Sequence, residues 1–256
     1  MSDRNDLAAA AEALRALHHG PDLLVLPNAW DAASARAVCE AGFAAVATTS
    51  SGIAASLGYP DQEGSPVDEM LAAVARIARA ATVPVTADLE AGYGLTATEL
   101  VDRLLAAGGV GLNLEDSDHR HGGLVDPDRQ AEYLAAVKQA GRAAGVDIVL
   151  NARVDTYLRP AEPAADPAEE AIRRGQRYLE AGADCIFPIG VTTEADITAL
   201  VARIGGPVNI LMRPGVPSLT RLAELGVARV SLGGRLQRLT MTALAEHLAA
   251  LKAETP

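Results

Sequence analysis

The chain has 256 residues, 49% of them apolar and 21% charged, with only 3% aromatic and a formal net charge of −11. These values describe a globular protein whose core is assembled from small aliphatic side chains. They exclude a general nucleic-acid binder, which needs a basic face to displace phosphate counterions.

The first segment, Met1–Gly20, carries Asp3, Asp6 and Glu12 within an Ala/Leu helix pattern. It lacks the basic start and continuous apolar stretch of a secretory signal, and no later run approaches the roughly 20 apolar residues of a membrane span. Leu23–Leu26 then reads as a strand and Ala32–Ala41 as a helix ending at Gly42. Ala44–Thr48 is the next strand, and Val67–Ala80 a helix introduced by Ser65-Pro66. Val83–Ala87 is followed by Thr96–Ala107, where Thr96 and Glu99 form a capping-box pattern and Gly108 a C-cap. Val110–Leu114 precedes Pro127–Ala144, whose start is marked by Asp126 with proline at the first helical position. Strands Ile148–Asn151, Cys185–Phe187, Val208–Leu211 and Arg229–Leu232 alternate with helices Pro167–Ala181, Thr193–Ile204, Ser218–Leu225 and Arg235–Lys252.

The strands are short and aliphatic without strict alternation, as parallel strands buried on both faces should be. The turns Glu40-Ala41-Gly42-Phe43, Ala106-Ala107-Gly108-Gly109, Glu180-Ala181-Gly182-Ala183 and Glu224-Leu225-Gly226-Val227 repeat one helix-to-strand junction. Eight such units predict a single-domain α/β (β/α)8 TIM barrel over residues 1–256, with an N-terminal and a C-terminal helix. An open doubly wound sheet is the alternative, although no Gly-x-Gly-x-x-Gly turn follows a strand. The irregular stretches Ser50–Ser65, Glu115–Asp126 and Arg153–Asp166 all follow strands and therefore belong to the active face. Cys39 and Cys185 lie far apart without metal-ligand spacing, so no disulfide framework is expected, in keeping with a cytoplasmic location.

Acidic residues at consecutive strand ends are the main chemical signal. Asp88 and Glu90 follow the third predicted strand, Glu115 and Asp116 the fourth, and Arg153 and Asp155 the fifth. Oxygen ligands of this kind suit Mg²⁺, which keeps several waters and takes one or two carboxylates. Arginine at the third site can grip a carboxylate in a bidentate fork. Any one of these charges alone would read as a solvated strand end; together they read as a cluster.

The residues Pro27-Asn28-Ala29-Trp30-Asp31-Ala32-Ala33-Ser34-Ala35-Arg36, the run Thr49 to Asp61, the run Asp88 to Gly94, Gly111-Leu112-Asn113-Leu114-Glu115-Asp116 and Asn151-Ala152-Arg153 together resemble the isocitrate lyase/phosphoenolpyruvate mutase superfamily. The resemblance implies a Mg²⁺ site, with Mn²⁺ as a substitute, in which Asp88 ligates directly and Glu90 and Glu115 hold metal waters. Glu90 stands where relatives commonly have aspartate. The resemblance also implies that Thr49, Ser50, Ser51 and Gly52 cradle substrate oxygens, that Asp61 lies near the reacting centre, and that Arg153 clamps the substrate carboxylate. The implied activity makes or breaks a C–C bond of a small 2-oxo or 2-hydroxy di- or tricarboxylate through a metal-bound enolate. Mutase or hydrolase chemistry on a P–C bond is the second expectation, and a non-catalytic barrel that only binds metal and keto acid is the third.

Several residues depart from the superfamily pattern. The Lys-x-Cys-Gly-His loop of the lyases is replaced by Ser117-Asp118-His119-Arg120-His121-Gly122-Gly123-Leu124, and Phe187-Pro188-Ile189 has isoleucine where many lyases have glutamate. His119 and His121 are the candidates for the missing proton donor; a solvated loop whose histidines do nothing is the other reading. His18, His19 and His247 read as surface groups. Ser231-Leu232-Gly233-Gly234-Arg235 reads as a turn into the last helix rather than a phosphate site, Asn209 as a ligand-facing or a structural group, and Trp30 as packing. The expected partners are the small carboxylate and further copies of the chain, as a dimer or tetramer. The short C-terminal segment leaves open the terminal-helix exchange of larger relatives.

Overall fold

The computed structural model describes residues 3–159 and 166–255; the part of the irregular segment Arg153–Asp166 at 160–165 lies outside them. Helix α1 (Arg4–Leu17) leads into β1 (Leu24–Leu26) and β2 (Asn28–Ala29), followed by α2 (Ala32–Glu40), β3 (Val46–Thr48), α3 (Ser50–Leu57), α4 (Val67–Ala80) and β4 (Val85–Asp88). Then come α5 (Ala97–Ala106), β5 (Gly111–Glu115), α6 (Pro127–Ala143), β6 (Val149–Val154), α7 (Pro167–Glu180) and β7 (Cys185–Pro188). The chain continues through α8 (Glu194–Ile204), β8 (Asn209–Leu211), α9 (Leu219–Glu224), β9 (Arg229–Ser231) and α10 (Arg235–Glu254).

All strand pairs are parallel. One ladder runs β2-β3-β4-β5-β6-β7 and another β1-β9-β8. The two are joined at both ends. β1 and β2 are one strand divided at Pro27, which has no N–H to give, so the run pairs with β9 before the proline and with β3 after it. At the other end a bridge between Ile186 and Val208 ties β7 to the start of β8. The strands therefore follow one another in cyclic order, as in the (β/α)8 fold and unlike an open doubly wound sheet.

The core is aliphatic, as the composition requires. Helix α4 turns Met70, Leu71, Val74 and Ile77 inward, and α5 does the same with Leu100, Val101, Leu104 and Leu105. Each such leucine contributes about 2 kcal/mol by burial. The capping boxes of α5 at Thr96/Glu99 and of α2 at Asp31/Ser34 both form. One segment read as irregular is helical: Ser50–Leu57 forms α3, capped by Thr49 and stopped by Gly58 in the left-handed region at φ 86°. Its high Ala/Ser content gives almost no amphipathic contrast, so periodicity did not mark it.

Helix α1 packs against the barrel end opposite the strand C-termini. A β-carbon on Gly111 would stand 2.9 Å from Leu14 Cδ2 and from the Val149 carbonyl, so the absence of a side chain there lets the helix seat. Arg15 fastens it to Asp184 at 2.8 Å. His18, expected at the surface, is instead 3% exposed, because as the C-cap of α1 it continues the buried face formed by Leu7, Ala11 and Leu14. Its Nδ1 bonds the Leu14 carbonyl at 2.8 Å, and its Nε2 lies 3.4 Å from Arg229.

Burial, reinforced by the Arg229 charge, lowers the His18 pKa to about 4. The unfolded chain therefore takes up a proton near pH 6.5 that the native state refuses. Stability from this group is complete above that pH and falls by about 3 kcal/mol as pH drops towards 4. His18→Asn, which keeps a donor towards Leu14 without a titrating ring, should flatten that part of the acid limb in urea titrations between pH 7 and pH 4.

Candidate active site

A cavity of about 970 Å³ opens at the C-terminal ends of the strands. Asp88, the last residue of β4, stands at its floor. Asp88 Oδ2 accepts hydrogen bonds from the Ser50 N–H at 3.0 Å and the Ser50 hydroxyl at 2.7 Å, and Oδ1 accepts from Asn113 Nδ2 at 3.3 Å. The first donor belongs to the opening turn of α3, where N–H groups have no intrahelical acceptor and the helix dipole favours negative charge. Thr49 caps that turn, and its hydroxyl lies 3.1 Å from that of Ser51. Thr49, Ser50 and Ser51 all line the cavity. Gly52 does not. It lies on the buried face of α3, where an added β-carbon would stand 2.7 Å from Thr49 Cγ2 and 3.2 Å from Trp30 Cβ. Trp30 thus packs, as expected.

Two further carboxylates face the same space. Glu90 sits in the left-handed region at φ 50°, a conformation costly for a residue with a side chain and characteristic of sites that hold strain. It accepts from the Glu63 N–H and from the Tyr93 hydroxyl, both at 2.6 Å. Burial pushes its pKa up to about 7 against those two bonds, and the charges of Asp88 and Asp61 push the same way. Glu115, at the end of β5, meets His119 Nε2 at 2.7 Å and pairs with Arg153 Nη1. Burial raises its pKa, while Arg153 and His119 oppose that rise. Its hydrogen bond in turn holds the His119 pKa above the ordinary histidine range, against partial burial. Asp61 lines the rim and is exposed.

Arg153 is already engaged by protein carboxylates. Nε and Nη2 fork onto Asp155 at 2.7 and 2.8 Å, Nη1 pairs with Glu115, and the residue lines the cavity. Burial works against its charge, but Glu115 and Asp155 outweigh burial and raise its pKa.

The structure separates the two loop histidines. The His119 side chain is 8% exposed and lines the cavity, whereas that of His121 is 81% exposed and bonds Asp118 at 3.0 Å. The loop closes on itself through a Ser117–Leu124 bridge, and the turn between these residues directs His119 to Glu115 and His121 to Asp118 at the surface. Asp116, grouped with Glu115 by sequence, points away from the cavity and accepts from Arg174 and Tyr178, each at 2.9 Å, anchoring α7. Asn209 is also structural: it is fully buried and donates to Ser231 at 3.3 Å.

Other cavity residues escaped the sequence reading of the site. Asn28 Oδ1 accepts from the N–H groups of Leu232 and Gly233 at 2.8 and 2.9 Å, and Asn113 supports Asp88. A polar side chain in the middle of an aliphatic strand was the available signal for both. Arg159, 3.5 Å from His119, and Arg238 on α10 carried no comparable mark. The Ser231–Arg235 turn is more than a connector, since Gly233, Gly234 and Arg235 line the cavity. Gly234 fits there without a side chain between Arg238 Nη1 and Ser51 Oγ, each 2.7 Å from where its β-carbon would stand.

The family model described as phosphoenolpyruvate phosphomutase matches residues 14–252. The chain belongs to this family. It lies within the isocitrate lyase/phosphoenolpyruvate mutase superfamily and is an enzyme of its lyase type. The chain is 30% identical over 221 residues to the 2-methylisocitrate lyase of Bacillus subtilis, covering 83% of this chain and 67% of that relative. It is 38% identical to a solved Burkholderia cenocepacia protein provisionally described as a phosphonomutase, with a TM-score of 0.88 over 95% of this chain and 99% of that one. A phosphonopyruvate hydrolase solved with oxalate and Mg²⁺ is 26% identical, with a TM-score of 0.85 over 96% and 87% of the two chains.

This family member offers an oxygen-only donor set of Asp88, Glu90 and Glu115. Among the described residues no three His, Cys, Asp or Glu side chains gather closely enough to hold a metal by themselves. The set therefore fits an ion that keeps its own waters, as Mg²⁺ does, better than one that demands a full cage of side chains. Burial, with a smaller push from Asp88 and Asp61, disfavours the Glu90 charge, and a cation beside it would offset both.

Arg153→Lys removes the fork to Asp155, because an ammonium cannot bridge two carboxylates in that geometry. Urea unfolding should show a loss of about 2 kcal/mol, and Arg153→Met, which leaves Glu115 and Asp155 buried together, a loss nearer 3–5 kcal/mol.

Proposed function

We propose that this protein is a Mg²⁺-dependent carbon–carbon lyase acting on a small 2-oxo or 2-hydroxy di- or tricarboxylate. The observation that carries the reading is that one cavity is lined by acids that end or follow β3, β4 and β5 and by arginines that follow β8 and β9 on the opposite arc of the ring. The acids are Asp61, Asp88, Glu90 and Glu115; the arginines are Arg213, Arg235 and Arg238, none in an ion pair among the described residues. An acidic arc suits a cation, and a basic arc suits the anionic groups of a substrate that the cation alone would not satisfy.

Asp88 is the direct metal ligand in this reading, with Glu90 and Glu115 holding waters. Mg²⁺ there supplies Lewis-acid polarisation of the substrate oxygens. Ser51, in the first turn of α3, donates to a substrate oxygen, and Nη1 of Arg153 orients a carboxylate. Breaking the C–C bond leaves an electron pair on carbon, which needs a proton. Protonated His119 supplies it, held in the charged form by its hydrogen bond to Glu115; the proton of the cleaved substrate's hydroxyl leaves to solvent, from which His119 is reprotonated.

Titration of the protein with oxalate in the presence of Mg²⁺ tests the site. Asp88→Ala should abolish the Mg²⁺-dependent part of binding, and unchanged binding would overturn the assignment. With a panel of candidate acids, His119→Gln should lower kcat by about a hundredfold, and His121→Gln should leave turnover at the wild-type level. Likeness to the phosphonomutase and the phosphonopyruvate hydrolase favours a second reading, P–C chemistry at the same site. Phosphate release from phosphonopyruvate, followed by phosphorus NMR, distinguishes the two.

The protein also acts, in our reading, as a cytoplasmic homo-oligomer. Helix α10 has no buried residue, and Leu239, Met241, Leu244, Leu248 and Leu251 are 46–55% exposed along it. A 20-residue helix with that stripe is a surface that another copy would cover. No helix among the described residues is long and apolar enough to cross a membrane. Light scattering after gel filtration should give a dimer or tetramer that Leu244→Glu with Leu248→Glu reduces to monomer. A monomeric wild-type protein would end this assignment.

A further inference from the structure

Arg229 opens β9 in the interior of the barrel and is completely buried. It forms no ion pair with a carboxylate among the described residues. Its Nη1 lies 3.4 Å from His18 Nε2, its Nη2 donates to Asn113 Oδ1 at 3.3 Å, and its Nε has no hydrogen-bond partner. Burial of an arginine without a counter-charge is expensive, and apolar residues of similar volume usually serve a core as well or better. A structural role alone gives little reason for the cation.

Its contact with Asn113 gives one. The Asn113 carboxamide has two ends, and which end faces Asp88 is decided by its other partners. Oδ1 accepts from Arg229 Nη2 and, at 2.8 Å, from Asn151 Nδ2. With two donors converging on the oxygen, the amide nitrogen is turned towards Asp88 Oδ1. Reversing the amide would set its NH₂ against two donors and its oxygen against a carboxylate, losing three hydrogen bonds at once. The strand register supports the relay: Asp88 of β4 is paired with Asn113 of β5, which is paired with Asn151 of β6, and Arg229 reaches the same layer from β9.

We propose that Arg229 is a positioning residue. From beneath the cavity it fixes the Asn113 amide, and through that amide it fixes the Asp88 carboxylate, so that Asp88 presents a set face to a divalent cation. The inference rests on the reading of Asp88 as the metal-facing carboxylate. Outer partners that orient a metal-facing carboxylate typically alter metal affinity by 10–100-fold when removed.

The test combines Mn²⁺ affinity, read by electron paramagnetic resonance on the intact protein, with a crystal structure of the metal-free variant. Arg229→Met keeps volume and removes the donor. It should raise the Mn²⁺ Kd roughly tenfold and should show the Asn113 amide turned and Asp88 displaced from Ser50. Asn113→Ala should raise the Kd as well, and the double variant should be no worse than the poorer single one, because the two act in series. Arg229→Lys should recover part of the loss. Should Arg229→Met fail to fold, Asn151→Ala, which removes the other donor to the same oxygen, should give a smaller rise in Kd with the same partial turn of the amide. An unmoved Asn113–Asp88 pair in the variant, or additive effects in the cycle, would overturn the relay. Unchanged Mn²⁺ affinity in a folded Arg229→Met would do the same while leaving the metal site standing. A wild-type protein that binds no Mn²⁺ would instead remove the metal reading, and the variant's crystal structure would still decide whether Arg229 orients Asp88.

Discussion

The arrangement depends on one junction, where the carboxylate ending β4 meets the opening turn of α3. Asp88 takes two donors from Ser50 and one from Asn113. That ties the strand that offers the acid to the helix whose free N–H groups can meet a substrate. The two parts are 38 residues apart in sequence, and their contact is charge-assisted, the stronger class of hydrogen bond. Thr48 reinforces the joint by accepting the Asp88 N–H at 2.8 Å. Moving either part would separate the opening turn of α3 from the strand-end acids.

Charge is distributed unevenly around that junction. A protein with a net charge of −11 would repel a polycarboxylate at long range. Locally the balance is different. Arg153 is caught between Glu115 and Asp155, and Arg229 lies buried below Asp88. Arg213, Arg235 and Arg238 line the same cavity from the β8 and β9 side. Positive charge thus lies beside the carboxylates at Arg153, behind Asp88 at Arg229, and elsewhere on the cavity lining, which allows several acids to share a confined space.

Much of the architecture was legible because parallel barrels write a strong local pattern. All eight strand positions could be located, since each is a short aliphatic run that follows a helix, most of them ended by glycine, and leads into a polar loop. Helix α3 was missed because Ser-Ser-Gly-Ile-Ala-Ala-Ser-Leu has no polar face to set against an apolar one. His18 stands four residues after Leu14 on the buried face of α1, and a polar residue at the end of that apolar stripe gives no sign that the stripe continues through it. Asp116 points away from the cavity because it directly follows Glu115 at the strand end, where successive side chains point to opposite faces. His121 lies in the turn that follows, bonded to Asp118 at the surface, and no local pattern marks which way a turn directs a side chain.

The sequence by itself determined the fold class, the family and the identity of the strand-end acids. Each of these is recorded in local patterns: periodicity, capping residues, and short motifs at fixed distances from strand ends. Tertiary structure alone decided that Arg153 is shared between two carboxylates, that His119 and not His121 enters the cavity, and that Arg229 reaches Asp88 through Asn113. Those facts turn on the direction of single side chains and on contacts between elements more than a hundred residues apart, such as Asn113 with Arg229. A linear pattern specifies which residues lie near the mouth of a barrel, but only closure of the ring brings strands four and nine close enough for one amide to connect them.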